Sequence, residues 1–309
     1  MVLLTEKAFR NAYNQVQTLL QRLYRYLTLI KWSDEGMRKL ELSQLAGMNE
    51  HFRRHSFEFF LDSMVRLGLK NIELWAASPH LYMEAVTLSE VRKIRKEIEK
   101  CQLQLICVTP EQCIYPINIA AKEQSVRNRS VNYFIKSLEV TKELGASMLQ
   151  IVPGKGYYNE PVEEAWKRAR DSLETIAKKA QELDITAVLE ALELKESNLI
   201  HHSTDLKRML REVDSAHLQA VIDTAPMAAA GETLDQCFRE LGKDLRHLHF
   251  VDSGHLAPGD GNLPLIQYLH EINDHDYQGF LTLELVGSRY ITDPVKPLEN
   301  ALAYLGVRA

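Results

Sequence analysis

Residues 185–190 read Ile-Thr-Ala-Val-Leu-Glu, residues 218–223 Leu-Gln-Ala-Val-Ile-Asp, residues 245–252 Leu-Arg-His-Leu-His-Phe-Val-Asp, and residues 280–286 Phe-Leu-Thr-Leu-Glu-Leu-Val. Each is a short apolar run with strand-forming residues and a metal-ligand type of side chain at its far end: Glu190, Asp223, His249 and Glu284. The four are separated by 33, 26 and 35 residues. One strand, one helix and two loops use about that much chain, so each interval is one βα unit and the four strands run parallel. Four parallel strands then deliver four polar tips to one end of a sheet.

Outward from these four, the same alternation accounts for the chain from Met37 onward. Strand-like runs are expected at 40–45, 71–76, 103–108, 147–152, 185–190, 218–223, 245–251 and 280–286. Helical patterns follow them at 55–67, 89–100, 123–144, 161–183, 203–213, 233–241, 264–273 and 295–305. Glycines at 68, 145 and 242 stand where left-handed helix caps are needed. Eight units predict an α/β fold, a (β/α)8 TIM barrel. The alternative, a doubly wound open sheet, lacks a Gly-x-Gly-x-x-Gly after the first strand.

Residues 1–36 fall outside that count. Phe9, Tyr13, Val16, Leu19, Leu20, Leu23, Leu27 and Ile30 have helical spacing with basic residues between them, which predicts an amphipathic N-terminal helix over 5–30. Three roles fit: an oligomerisation or lid helix, a plug on the barrel floor, or an extension translated ahead of a start at Met37. The expected division is therefore a helical extension, 1–36, and a catalytic barrel, 37–309.

The 309 residues are 45% apolar and 26% charged with a formal net charge of -5, which disfavours nucleic acid as a partner. No apolar run approaches the roughly 20 residues of a membrane span and no secretory leader pattern is present, so no membrane partner and a cytoplasmic location are expected. Cys101, Cys107, Cys113 and Cys237 form no Cys-x-x-Cys pair and read as buried or incidental thiols.

Side chains alternate along a strand, so Val188 shares a face with Glu190, Val221 with Asp223, His247 with His249 and Thr282 with Glu284. If these faces point inward, three carboxylates and one imidazole meet at the mouth, where unbalanced charge is costly to bury. A divalent cation balances it. Hard oxygen donors with one imidazole favour Mn²⁺, with Co²⁺ or Mg²⁺ as alternatives, because structural zinc would recruit thiolates. Open coordination positions suit a substrate with adjacent carbonyl and hydroxyl oxygens, whose carbonyl is polarised toward an enediolate. Glu190 and Glu284, three strands apart, are then candidates for the acid and base on either side of it.

With Asn71-Ile72-Glu73-Leu74-Trp75, Ser78-Pro79-His80, Val108-Thr109-Pro110-Glu111, Tyr115-Pro116 and Glu196-Ser197-Asn198 added to these strands, the chain from Met37 resembles the sugar isomerases and epimerases of the xylose isomerase-like barrels. The likeness extends to the ketose 3-epimerases, those acting on tagatose and psicose and, more strongly, those of the fructoselysine type. It implies Glu190, Asp223, His249 and Glu284 as metal ligands, Glu190 and Glu284 as the acid/base pair, and Glu196 as a substrate contact. Homodimers or homotetramers acting on a small sugar are also implied. The free-ketose members carry His and Arg where this chain has Pro226 and His255. The substrate expected is therefore a substituted, Amadori-type ketose. Hydroxypyruvate isomerisation and inosose dehydration fit the same chemistry, whereas a metal-dependent endonuclease or a non-catalytic sugar-binding barrel fits less well.

Glu73, Trp75, His80, Glu111, Tyr115 and His255 are the remaining candidate substrate contacts, with Glu73 also suited to an internal hydrogen bond. Val152-Pro-Gly-Lys-Gly-Tyr-Tyr158 lacks the Gly-Lys-Ser/Thr ending of a phosphate loop and reads as an active-site loop. His201-His202 reads as a helix start.

Overall fold

The computed structural model describes residues 40–307. The amphipathic helix expected at 5–30 and the boundary at 36/37 lie outside the described residues. Eight parallel strands close into a barrel in sequence order, β1 pairing with both β2 and β8. In chain order the elements are β1 (Leu45–Met48), α1 (Phe57–Arg66), β2 (Asn71–Ala76), α2 (Leu88–Lys100), β3 (Gln104–Pro110), α3 (Gln124–Leu144), β4 (Met148–Ile151) and α4 (Val162–Leu183). The second half has β5 (Thr186–Glu190), α5 (Ser203–Val213), β6 (Leu218–Asp223), α6 (Thr224–Ala229), α7 (Leu234–Leu241), β7 (Leu245–His249), α8 (Leu265–Asp274), β8 (Leu281–Leu283) and α9 (Val295–Tyr304). This is the TIM barrel that the spacing predicts.

The first strand is displaced from its expected place. Leu40, Leu42 and Leu45 suggest alternation, yet residues 42–44 form a 3-10 turn and the strand is the wholly buried Leu45-Ala-Gly-Met48. A strand covered on both faces has no polar alternation to mark it. A Cβ at Gly47 would overlap the sulfur of Met64 on α1, so the Met64 side chain would have to shift to admit one. The short α6, directly after Asp223, was not expected; Asp223 caps it by accepting from the Ala225 N–H at 2.7 Å.

Ala46, Ile106, Cys107, Met148, Val188 and Val221 pack together in one core cluster. Their strands, β1, β3, β4, β5 and β6, lie around the barrel, so the cluster fills its interior. Burial sets the inward face of each strand and hence which residues reach the mouth two positions later. The pairing register slips between Ile72 and Glu73 in β2 and between Ala220 and Val221 in β6, just ahead of two buried acidic residues. Such irregularities re-aim the side chains beyond them.

Side chains close the β1 seam beyond its ladders. Asn49 accepts from the Trp75 N–H at 2.7 Å and donates to the Trp75 carbonyl at 3.1 Å. His51, wholly buried, has Nε2 3.1 Å from the Pro294 carbonyl and so ties the start of the barrel to the segment before α9. Burial holds the His51 pKa down to about 4, only partly offset by that carbonyl. The folded protein therefore resists a proton that the unfolded chain accepts near pH 6.5, so this stability is present above that pH and lost as pH falls toward 4. Between pH 7 and pH 5, His51 should remove about 2 kcal/mol of stability. Denaturant unfolding of His51→Gln should show a shallower acid slope than the parent; equal slopes would contradict this.

Candidate metal centre

Val188 and Val221 face the barrel interior, so Glu190 and Asp223, two residues further along β5 and β6, emerge at its C-terminal mouth on the same face. On β7, His247 and His249 are both wholly buried. Thr282 Oγ1 of β8 lies 3.2 Å from His247 Nε2, which sets the inward face of that strand, and Glu284 follows two residues later, just past the end of β8. One donor atom from each of Glu190, Asp223, His249 and Glu284 lies within 4.8 Å of all the others. The structure thus brings together all four strand-end residues singled out in the sequence.

The details favour a cation over a self-contained network. Nδ1 of His249 lies 2.7 Å from Glu284 Oε2, 3.4 Å from Glu190 Oε1 and 3.9 Å from Asp223 Oδ2. None of these approaches has hydrogen-bond geometry, and among the described residues His249 Nδ1 is buried without a hydrogen-bond partner, while buried Asp223 Oδ2 is met by the His255 ring at 3.1 Å. Buried polar atoms rarely go unpaired, and this nitrogen sits where three carboxylates converge. The donors fit a divalent cation.

Electrostatics show the same strain. Burial pushes the Glu284 carboxyl up to about 7 against the pull of His249, with Glu190 and Asp223 adding repulsion. Burial opposes a charged His249, but the Glu284 and Glu73 carboxylates outweigh it and hold the ring well above the ordinary histidine range. His255 is raised to about 10: burial works against its charge and is overcome by Asp223, whose Oδ2 is 3.1 Å from Nε2. Asp223 is lowered despite its burial, chiefly by His255.

Behind His249 stands Glu73. Its Oε1 is 3.2 Å from His249 Nε2 and its Oε2 is 2.8 Å from His247 Nε2, while Thr109 donates its hydroxyl to Oε1. Glu73 has no solvent exposure, and burial, which would raise its pKa, is outweighed by the two histidines, so it stays ionised. Glu73, His247 and His249 also form a tight group of ligand-type atoms, but here the atoms already bond one another. A carboxylate on Nε2 leaves Nδ1 as the nitrogen free to ligate.

The other expected substrate contacts divide by how far their polar atoms are engaged. Glu73 is turned away from the mouth by these bonds. His80 is half-buried, with Nδ1 2.8 Å from Asn49 Nδ2 and Nε2 2.9 Å from the His55 carbonyl, so both ring nitrogens are taken. Glu111 is buried: Oε1 accepts from the Cys113 and Ile114 N–H groups, and Oε2 from Trp75 Nε1 at 3.2 Å. Tyr115 packs on the cluster of Met48, Trp75 and Ala77, forming a wall. Glu196 and His255 are only partly buried. His255 is fixed in a left-handed backbone conformation, φ 58°, by its loop. That loop is pinned by buried Asp252, which accepts from the N–H groups of Ser253, Gly259 and Leu263. Lys155 is exposed, and its backbone is held by Asn118.

Gln150, Gln112 and Glu50 escaped the sequence reading. Gln150 donates to Glu190 Oε2 and receives a bond from Gln112, while the other side of Gln112 accepts from the Val152 N–H. A signal for Gln150 existed: it pairs in register with inward-facing Val188. Glu50 lies in the turn after β1 and is 5% exposed. It was hidden by the misplaced first strand.

A family described as a xylose isomerase-like TIM barrel matches residues 61–306. Fructoselysine 3-epimerase of Escherichia coli O157:H7 is 29% identical over 233 residues, covering 74% of this chain and 84% of the relative. D-psicose 3-epimerase of Enterocloster bolteae is 23% identical over 234 residues, covering 74% and 76%. Among solved structures, a 3-keto-D-glucoside 4-epimerase from E. coli superposes with a TM-score of 0.74 at 18% identity, over 85% of this chain and 98% of that one, which is likeness of fold. With the match spanning most of the barrel, the chain belongs to the xylose isomerase-like TIM barrel family.

Proposed function

We propose that this chain is a divalent-metal-dependent sugar epimerase that inverts C3 of a ketose or substituted ketose of the fructoselysine kind. The observation that carries the reading is the convergence of two carboxylates, Glu190 and Glu284, from strands three apart on one buried imidazole nitrogen that has no hydrogen-bond partner among the described residues. Coverage of 84% of a fructoselysine 3-epimerase supports the substrate class, as does Pro226 in place of a sugar-contacting His.

Glu190, Asp223, His249 and Glu284 would hold the cation, Mn²⁺ first and Co²⁺ or Mg²⁺ as alternatives. When bound, it supplies Lewis-acid polarisation of the substrate carbonyl. The chain's own residues do the rest. One of Glu190 and Glu284 takes the C3 proton and the other returns a proton to the opposite face. Gln150 holds one oxygen of Glu190 and thereby orients the other toward the site. Tyr115 and Trp75 form an apolar wall, and Glu196 and His255 offer polar contacts at the rim.

Two substitutions test this. Glu284→Gln should lower epimerisation by at least ~10³-fold, as expected for losing an acid/base group, while the variant still folds. Normal turnover, followed by NMR of fructoselysine or psicose, would sink the acid/base assignment. Glu73→Gln should weaken Mn²⁺ binding by ~10- to 100-fold through loosening of His249. Electron paramagnetic resonance titration reads free Mn²⁺ directly, and an unchanged affinity would contradict the role given to Glu73.

A further inference from the structure

β1 ends at Met48, whose side chain packs with Trp75 and Ala77, and the turn Glu50–Phe52 follows at the mouth of the barrel. Glu50 is 5% exposed. Arg53 ion-pairs with its Oε1 from three residues along. Among the described residues its Oε2 is buried with no hydrogen-bond partner. An acceptor desolvated and left without a donor is costly, and the Arg53 pair satisfies only half of this carboxylate. β1 lies beside β8, and Glu50, just past the C-terminal end of β1, is near enough to Glu284, Glu111 and His255 for their charges to act on it, yet it is not one of the four converging donor groups. Burial chiefly, and then the charges of Glu284 and Glu111, oppose its ionisation, while Arg53 and His255 favour it.

We infer that Glu50 is a substrate-binding residue, whose Oε2 accepts a hydrogen bond from a hydroxyl or protonated amine of the sugar while Arg53 holds the carboxylate in place. This rests on reading the mouth as a sugar site. Donors are selected over anions: a phosphate or carboxylate here would meet Glu50 itself, with Glu284 and Glu111 near enough to add repulsion. An Amadori-type ketose offers both donor kinds, ring or chain hydroxyls and a protonated amine.

The test uses the full-length protein loaded with Mn²⁺ and compares Glu50→Ala and the isosteric Glu50→Gln with the parent. Steady-state kinetics and calorimetric binding are measured with fructoselysine and psicose. Glu50→Ala should raise KM and Kd by ~10-fold or more with kcat within ~3-fold and Mn²⁺ affinity unchanged. Glu50→Gln, which keeps an acceptor oxygen, should fall between. A larger penalty for fructoselysine assigns the donor as its amine; equal penalties assign a hydroxyl. Unchanged KM and Kd in both variants, with only a lower Tm, would overturn the inference and leave Glu50 as a partner for Arg53 alone. If Ala does not fold, Gln decides. A parent that binds the sugars without turnover refutes the epimerase reading, and the Kd comparison still judges Glu50. A parent that binds neither sugar overturns both.

Discussion

Carboxylate oxygens of Glu284, Glu190 and Asp223 stand 2.7, 3.4 and 3.9 Å from one nitrogen of His249, at a depth where little solvent reaches them. Were all three ionised within 4.8 Å of one another, each pair would repel by roughly 3 kcal/mol at an effective dielectric near 20. Such an arrangement persists only if something else fixes the backbone. The closed barrel does this, because each group is the tip of a strand whose preceding inward residue is locked into the core.

A ring of neutral and charged partners keeps the crowded groups pointed inward. Glu73 holds the far side of His249, Gln150 holds one oxygen of Glu190, and the Ala225 N–H holds Asp223 Oδ1. In each case the bond occupies the atom facing away from the centre and leaves its counterpart oriented toward it. The chemistry proposed for the mouth depends on this second layer as much as on the four donors, since proton transfer tolerates little misplacement. His255 enters from a separate loop, and its cationic ring beside Asp223 offsets part of the negative charge.

How much of this could be read from the sequence follows from periodicity. Period-two alternation and βα spacing expose strand ends, so Glu190, Asp223, His249 and Glu284 were legible together, and the eightfold repeat made the barrel legible with them. β1 was misplaced because a strand buried on both faces, Leu45-Ala-Gly-Met48, carries no alternation, while the exposed turn before it does. That error concealed Glu50. The bonding of Glu73 to two histidines 174 and 176 residues away depends on side-chain direction across the barrel, which no local pattern encodes. His80 and Glu111 reach the mouth loops as their positions suggest, yet their polar atoms are spent on neighbouring chain, a distinction set by loop conformation and not by spacing.

The central claim is proton transfer at a carbon beside a carbonyl, and exchange into solvent reads it directly. Metal-reconstituted protein is incubated in D2O with fructoselysine, psicose, tagatose and fructose, and C3 is followed by NMR. Deuterium appearing at C3 of at least one of these, dependent on Mn²⁺ or Co²⁺ and lost on chelation, is the predicted result. Protein with one metal bound per chain that leaves every C3 proton in place would contradict the account.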